Sequence, residues 1–171
     1  PSALLAVAGD ARFRPVEIQW RRIGGELFAL LLDGQGDTRI VSNENGRLQV
    51  ARQLPAARLQ QQAGLMSDAP LQEFRVLQSP DAYFYPRAPE AMNGAAVRRF
   101  PVAVADFDDA EATRVYLDLG SGDPLLTMGH RERLGRWLFY FLHSWDLPAM
   151  LRQDVTRLGV LLLLSTAGIA L

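Results

Sequence analysis

Two histidines, three clustered aspartates and an aromatic run are the first residues in this sequence to weigh for ligation or recognition. His143 sits inside RWLFYFLHSWDLP at 136–148. There a neutral imidazole has two uses: axial ligation of a metal-centred cofactor, or anchoring of a helix end by hydrogen bonds to Asp146. A bis-histidine site needs a second imidazole, and the other histidine, His130, follows Gly129 in a polar turn. Asp106, Asp108 and Asp109 share one short stretch. Calcium takes roughly six to eight oxygens, so three carboxylates in series read as a solvated loop, and no metal site is expected. Asp81, Tyr83, Tyr85 and Arg87 alternate along a segment expected to be a strand. That spacing makes either a recognition edge or ordinary cross-strand packing. No phosphate loop, Ser/His/Asp order or pair of acids at fixed spacing is present, so the sequence offers no catalytic set.

Composition narrows the classes further. The 171 residues hold one ordinary domain or two small ones. A net charge of -1 gives no field that would recruit nucleic acid. All 18 basic residues are arginines, a usage expected of a GC-rich genome. The absence of cysteine removes disulfides, thiolate metal sites and cysteine nucleophiles from this span.

The elements that position these residues follow from periodicity. Val16, Ile18 and Trp20 alternate with Glu17, Gln19 and Arg21, the period of a half-buried strand, and Gly24-Gly25 turns the chain into 26–32. Further strands are expected at 38–42 and 47–50 around an Asn45-Gly46 turn, and a short helix at 54–65. The pattern then recurs, with strands at 71–77, 83–85, 99–105 and 113–119, a Gly120-Ser121-Gly122-Asp123 turn and a short strand at 124–128. Thr38-Arg39-Ile40-Val41 stands before Gly46 as Thr113-Arg114-Val115-Tyr116 stands before Gly122, and each turn leads to a short strand and a helix. The expectation is an α+β protein with a duplicated unit, one helix packed on a curved antiparallel sheet. The first helix would lie at 3–8.

From 131 onward the character changes. Arg131, Arg133 and Arg136 precede Trp137, Phe139, Tyr140, Phe141 and Trp145. Rings with polar edges collect where hydrocarbon meets water, and arginines beside them snorkel to head groups, so Arg136, Trp137, Tyr140 and Trp145 are expected at a membrane interface. The alternative is a core helix whose aromatics are its apolar payload. Residues 158–171 then run without a charge, which reads as the start of a transmembrane helix cut short of the roughly 20 residues a span needs.

The order of segments resembles the PepSY-associated transmembrane family of bacteria, described as iron-regulated or siderophore-uptake membrane proteins. The resemblance rests on VEIQWRRIGGELFALL at 16–31, DAYFYPR at 81–87, FPVAVADFDD at 100–109, TRVYLDLGSGDPL at 113–125 and, most specifically, RWLFYFLHSWDLP at 136–148. It implies a first PepSY-like unit at 1–52, a second at 53–129, interfacial or juxtamembrane helices at 130–157 and a transmembrane helix from 158, with another such helix ahead of Pro1. It further implies a bacterial inner-membrane protein whose soluble region lies in the periplasm. Relatives of the ferric-siderophore reductase kind carry haem between membrane helices on paired histidines, so the resemblance implies haem b in the whole protein, with His143 as a ligand. A ferric siderophore would be the substrate. PepSY units also occur in protease propeptides, which leaves open a non-enzymatic module that recognises a peptide, protease or transporter partner. Arg131, Arg133, Arg136, Arg152 and Arg157 pull the other way, because basic residues beside a span prefer the cytoplasm.

Overall fold

The computed structural model describes residues 12–44, 46–87, 96–144, 158–160, 162–163 and 166, with 44 and 140–144 described by backbone alone. The chain is mixed α+β, and its described residues divide into two units. One comprises Pro1–Gln78 with Phe100–Thr127, the other Ser79–Arg99 with Met128–Leu171.

The first unit carries two four-stranded antiparallel sheets, each a meander in chain order. The first sheet is β1 (Pro15–Ile23), β2 (Glu26–Asp33), β3 (Thr38–Glu44) and β4 (Arg47–Ala51). The second is β5 (Leu71–Leu77), β6 (Val102–Phe107), β7 (Arg114–Asp118) and β8 (Pro124–Met128). Between the sheets in sequence lies helix α1 (Ala56–Gly64), and after β8 comes α2 (His130–Ser144). In both meanders the turn between the third and fourth strands holds a glycine at positive φ, Gly46 at 81° and Gly122 at 74°. A side chain at that backbone angle is strained, which is why glycine falls at the same point of each meander.

One core serves both sheets. Phe28, Leu30 and Ile40 of the first sheet, Leu59 and Ala63 of α1, and Ala105, Phe107 and Leu117 of the second belong to a single buried cluster. α1 forms because Leu59 and Ala63, four residues apart, fall on one face of an otherwise polar helix. Pro55 precedes its first turn without sacrificing a needed donor, and the Pro55 carbonyl accepts from Arg58 N (2.9 Å) and Leu59 N (3.2 Å). Burying Leu59 completely contributes about 1.5–3 kcal/mol. The β1–β2 turn rests on this helix: Gly24 N donates to Gln62 Oε1 at 2.9 Å, and a Cβ at Gly24 would lie 3.0 Å from the Arg58 carbonyl oxygen. The sheets are tied directly as well, by Leu54 N donating to the Leu119 carbonyl at 2.7 Å and by an Arg21–Asp123 ion pair. The two sheets, which the sequence reading put in units at 1–52 and 53–129, therefore share a hydrophobic interior.

Several expectations need correction. Val16 and Trp20 were the apolar side of a half-buried strand; they stand 73% and 62% exposed, and of that face only Ile18 packs, against Phe13, Ala29, Leu31 and Val41. The reason is that β2 is buried on both faces and supplies Phe28 and Leu30 to the main core, while Arg21 occupies the β1 position opposite Phe28. The strand expected at 83–85 is a turn. Asp81 Oδ1 accepts from both Tyr83 N (2.9 Å) and Phe84 N (2.6 Å), and this local bond replaces a ladder. The strand expected at 99–105 is β6, the second of its sheet, and begins at Val102, after a cis Phe100–Pro101 bond. The helix expected at 3–8 lies outside the described residues.

Candidate functional site

Charged side chains gather at two places, one in each unit. In the first unit Asp106 is the penultimate residue of the otherwise apolar strand VAVADF, and only 9% of it is exposed. Register places it beside Arg114 on β7, and Arg75 on β5 lies on the same face. Asp106 Oδ2 accepts from Arg75 Nη1 at 2.5 Å, and Oδ1 accepts from Arg114 Nε at 2.5 Å, with Arg114 Nη2 at 3.2 Å from Oδ2. Burial by itself would raise the carboxyl's pKa, but the hydrogen bonds from Arg114 and Arg75 outweigh it and hold Asp106 below the usual carboxylate range. Arg114 is moved up in turn, its burial overcome by Asp106 and Tyr116. Every oxygen here is taken, so the triad is a closed strut.

Asp109 and Asp118 are spent on local turns. Asp109 Oδ1 accepts from Thr113 N at 2.8 Å and closes its own loop. Asp118 Oδ1 accepts from Gly120 N and Ser121 N, both at 2.7 Å, which builds the Gly120-Ser121-Gly122-Asp123 turn. Among the described residues no group of three or more histidine, aspartate or glutamate side chains could hold a metal ion.

The second unit has a different arrangement. The Asp81 turn sets Phe84, fully buried, and Tyr85, nearly so. Arg87 then forms an antiparallel bridge with Ala96, Arg87 N to Ala96 O at 3.0 Å and the reverse bond at 3.2 Å, which brings Arg98 back beside the turn. The Arg98 guanidinium carbon lies 4.6 Å from the Phe84 ring centroid. That of Arg136, on α2, lies 5.4 Å from the Tyr85 centroid, and its Nη1 is 3.6 Å from Met128 Sδ. Arg87 Nε and Arg98 Nε are buried without a hydrogen-bond partner. The pKa of Arg98 is lowered, first by burial and then by the charges of Arg87 and Arg136. Three guanidiniums thus sit close enough for Arg87 and Arg136 to repel Arg98, and two of them lie over rings.

α2 presents a second feature. At roughly 100° per residue, Leu134, Trp137 and Leu138 fall on one side of the helix, and Arg136 stands about 150° from their mean direction. All three apolar residues are exposed, as is Phe139.

The residues singled out from sequence are therefore distributed unevenly. Tyr85, Arg87 and Arg136 come together, Asp81 is spent on the turn, and Tyr83 takes its bond from that same carboxylate. Tyr140 and His143 belong to α2 by backbone, and Trp145 lies outside the described residues. His130 opens α2 at an exposed position. The His143 imidazole thus falls outside what is described. So does most of 158–171, whose described residues 158–160 are helical. Among the described residues no helix is long and apolar enough to cross a membrane. Arg98 was missed: nothing in the Arg98-Arg99 doublet marks it until the Arg87–Ala96 bridge folds it back. The Asp106 triad had a signal, a lone charge inside an apolar strand, which demands a buried partner. Set against known protein families, curated proteins and solved structures, the chain shows no match.

Proposed function

We propose that this chain is the membrane-apposed, periplasmic part of a bacterial inner-membrane protein, a PepSY-like binding module whose α2 lies in the bilayer interface. The observation that carries this reading is the exposure of Leu134, Trp137 and Leu138 on one side of α2, in a helix that begins with Arg131, Arg133 and Arg136. An exposed apolar stripe flanked by arginines is what an interfacial helix needs, and lipid is the occupant favoured by the uncharged segment from 158 onward. The matching strand orders of the two sheets, each with a glycine turn before its fourth strand, support the duplicated-unit part of the reading. The PepSY likeness rests on the quoted segments and on no matched family model.

Within that frame the module binds rather than catalyses. Its partner would be a peptide, a protease or a transporter component, met at an open strand edge such as β1 or β4. The ferric-siderophore reductase reading stands beside it on the 136–148 block, with haem supplied in the whole protein and His143 as its ligand. A visible spectrum of the full-length protein after haem-replete expression separates the two: a Soret band lost in His143→Ala supports the reductase, and no band supports the binding module.

The membrane reading has its own test. A protein with Trp137 as its sole tryptophan, Trp20 and Trp145 being replaced by phenylalanine, is reconstituted in vesicles carrying brominated acyl chains. Interfacial burial of about 5–10 Å predicts strong quenching by bromines near the head group. Fluorescence indifferent to the bromines but quenched by aqueous iodide would overturn the reading.

A further inference from the structure

β4 is an edge strand with a cavity beside it on one face. It stands last in the first sheet and, among the described residues, Arg47–Ala51 make no backbone hydrogen bond beyond their ladder with β3. Register sets Gln49 opposite Ser42 and Ala51 opposite Ile40, while Leu30 opposite Ile40 puts Phe28 on that same face by alternation. The cavity, about 220 Å³, lies where this face meets the start of α1, with Gln53, Pro55 and the Arg58–Glu26 ion pair along its wall. Its floor is apolar, because Phe28 and Ile40 are buried. Its rim of Ser42, Gln49 and Gln53 is polar and uncharged.

We propose that β4 takes up an extended peptide as a fifth strand and that the cavity seats one of the peptide's side chains. The inference deepens the binding-module reading and rests on it, but not on α2 lying in a bilayer. Size is the first argument for this occupant. Small-molecule sites enclose roughly 300–1,000 Å³, so a cavity of about 220 Å³ takes a single side chain, and the outer donors and acceptors of β4 hold the backbone that carries it. An apolar floor under a neutral polar rim selects an uncharged side chain with an apolar body and a polar tip, as in tyrosine. Charge complementarity is the second argument. Residues 45–67 contain Arg47, Arg52 and Arg58 and no acid, and Arg47, paired in register with Glu44, is exposed on the strand position that alternates with Gln49. In an antiparallel guest the residue opposite Gln49 meets the cavity, and the residue opposite Arg47 follows two places later on the same face. That later residue is acidic, since opposite charges directly across a ladder attract.

Short fluorescein-labelled, threonine-rich peptides titrated into the full chain in a neutral detergent test this by anisotropy. They carry Tyr or Glu at the central place, and Asp or Asn two places later. The Tyr–Asp peptide should bind saturably, about threefold tighter than Tyr–Asn and about tenfold or more tighter than Glu–Asp. Arg47→Gln should erase the preference for Asp over Asn. Ala51→Phe, which fills the cavity with a residue suited to a strand, should weaken the Tyr–Asp peptide about tenfold or more. N-methylation of one alternate set of peptide amides should abolish binding and of the other set leave it, because only one set faces β4. Binding indifferent to Arg47→Gln, Ala51→Phe and both methylation patterns overturns the inference, as does the absence of saturable binding by any of these peptides. Either result leaves the module reading standing, which falls instead to a Soret band lost in His143→Ala. Should Ala51→Phe fail to fold by circular dichroism, the substitutions and methylations in the peptide decide alone.

Discussion

The two arginine clusters use one side chain for opposite ends. Around Asp106, two guanidiniums and one carboxylate satisfy each other inside the second sheet, and their geometry ties β5, β6 and β7 together. Around Phe84 and Tyr85, two of three neighbouring guanidiniums lie over rings instead. The first arrangement lowers the energy of the fold through a buried ion pair. The second carries repulsion from Arg87 and Arg136 onto Arg98 and leaves Arg87 Nε and Arg98 Nε buried without a hydrogen bond, so it contributes less to the fold.

The sharpest way to break this contrast is to remove the carboxylate. Asp106→Asn takes the shared carboxylate from Arg114 and from Arg75, which keeps only its pair with Glu73, and a loss of about 3 kcal/mol in urea unfolding is expected. This is the low end of the range for broken buried pairs, because the two arginine side chains are 28% and 21% exposed. A loss under about 0.5 kcal/mol would deny the triad its structural part.

Acidity probes the same strut more gently. Because Asp106 has a folded pKa below its unfolded value of about 3.9, the unfolded chain binds more protons in the window between the two. Its contribution is complete above that unfolded value and is lost as pH falls through the folded one. Stability measured from pH 5 to pH 2 should decline less steeply in Asp106→Asn than in wild type.

Smaller effects belong to the second cluster. Tyr85→Leu removes the ring beneath Arg136 while keeping an apolar side chain, and a cost of about 0.5–1 kcal/mol in thermal unfolding follows from the lost cation–π contact. Smallest of all is Arg98→Gln, which relieves repulsion from Arg87 and Arg136 and should change stability by no more than about 0.5 kcal/mol.

How much of this was legible in the sequence depends on the range of the cause. The turns at Gly24, Gly46 and Gly122 and the helix carrying Leu59 and Ala63 are set by residues within one or two turns of each other, and they were readable. Burial in β1 was not, because which face of Val16, Ile18 and Trp20 meets a core depends on β2 being covered on both sides. The strand expected at Tyr83 and Tyr85 failed through a competing local bond, the Asp81 carboxylate taking two backbone donors. Tyr85, Arg87 and Arg136 were each noticed separately, as edge and interface residues, but their meeting with Arg98 depends on a bridge between Arg87 and Ala96 that no spacing announces. Apolar exposure on α2 was foreshadowed by its aromatic run, of which Trp137 and Phe139 stand about half exposed.

Region-resolved amide hydrogen exchange on Arg98→Gln and Arg114→Gln, in the full chain, tests the distinction most directly. Arg114→Gln should lose protection in β6 and β7, and Arg98→Gln should keep wild-type protection at Phe84, Tyr85, Arg87 and Ala96. Equal loss of protection around the two substitutions would make both clusters struts and contradict the account.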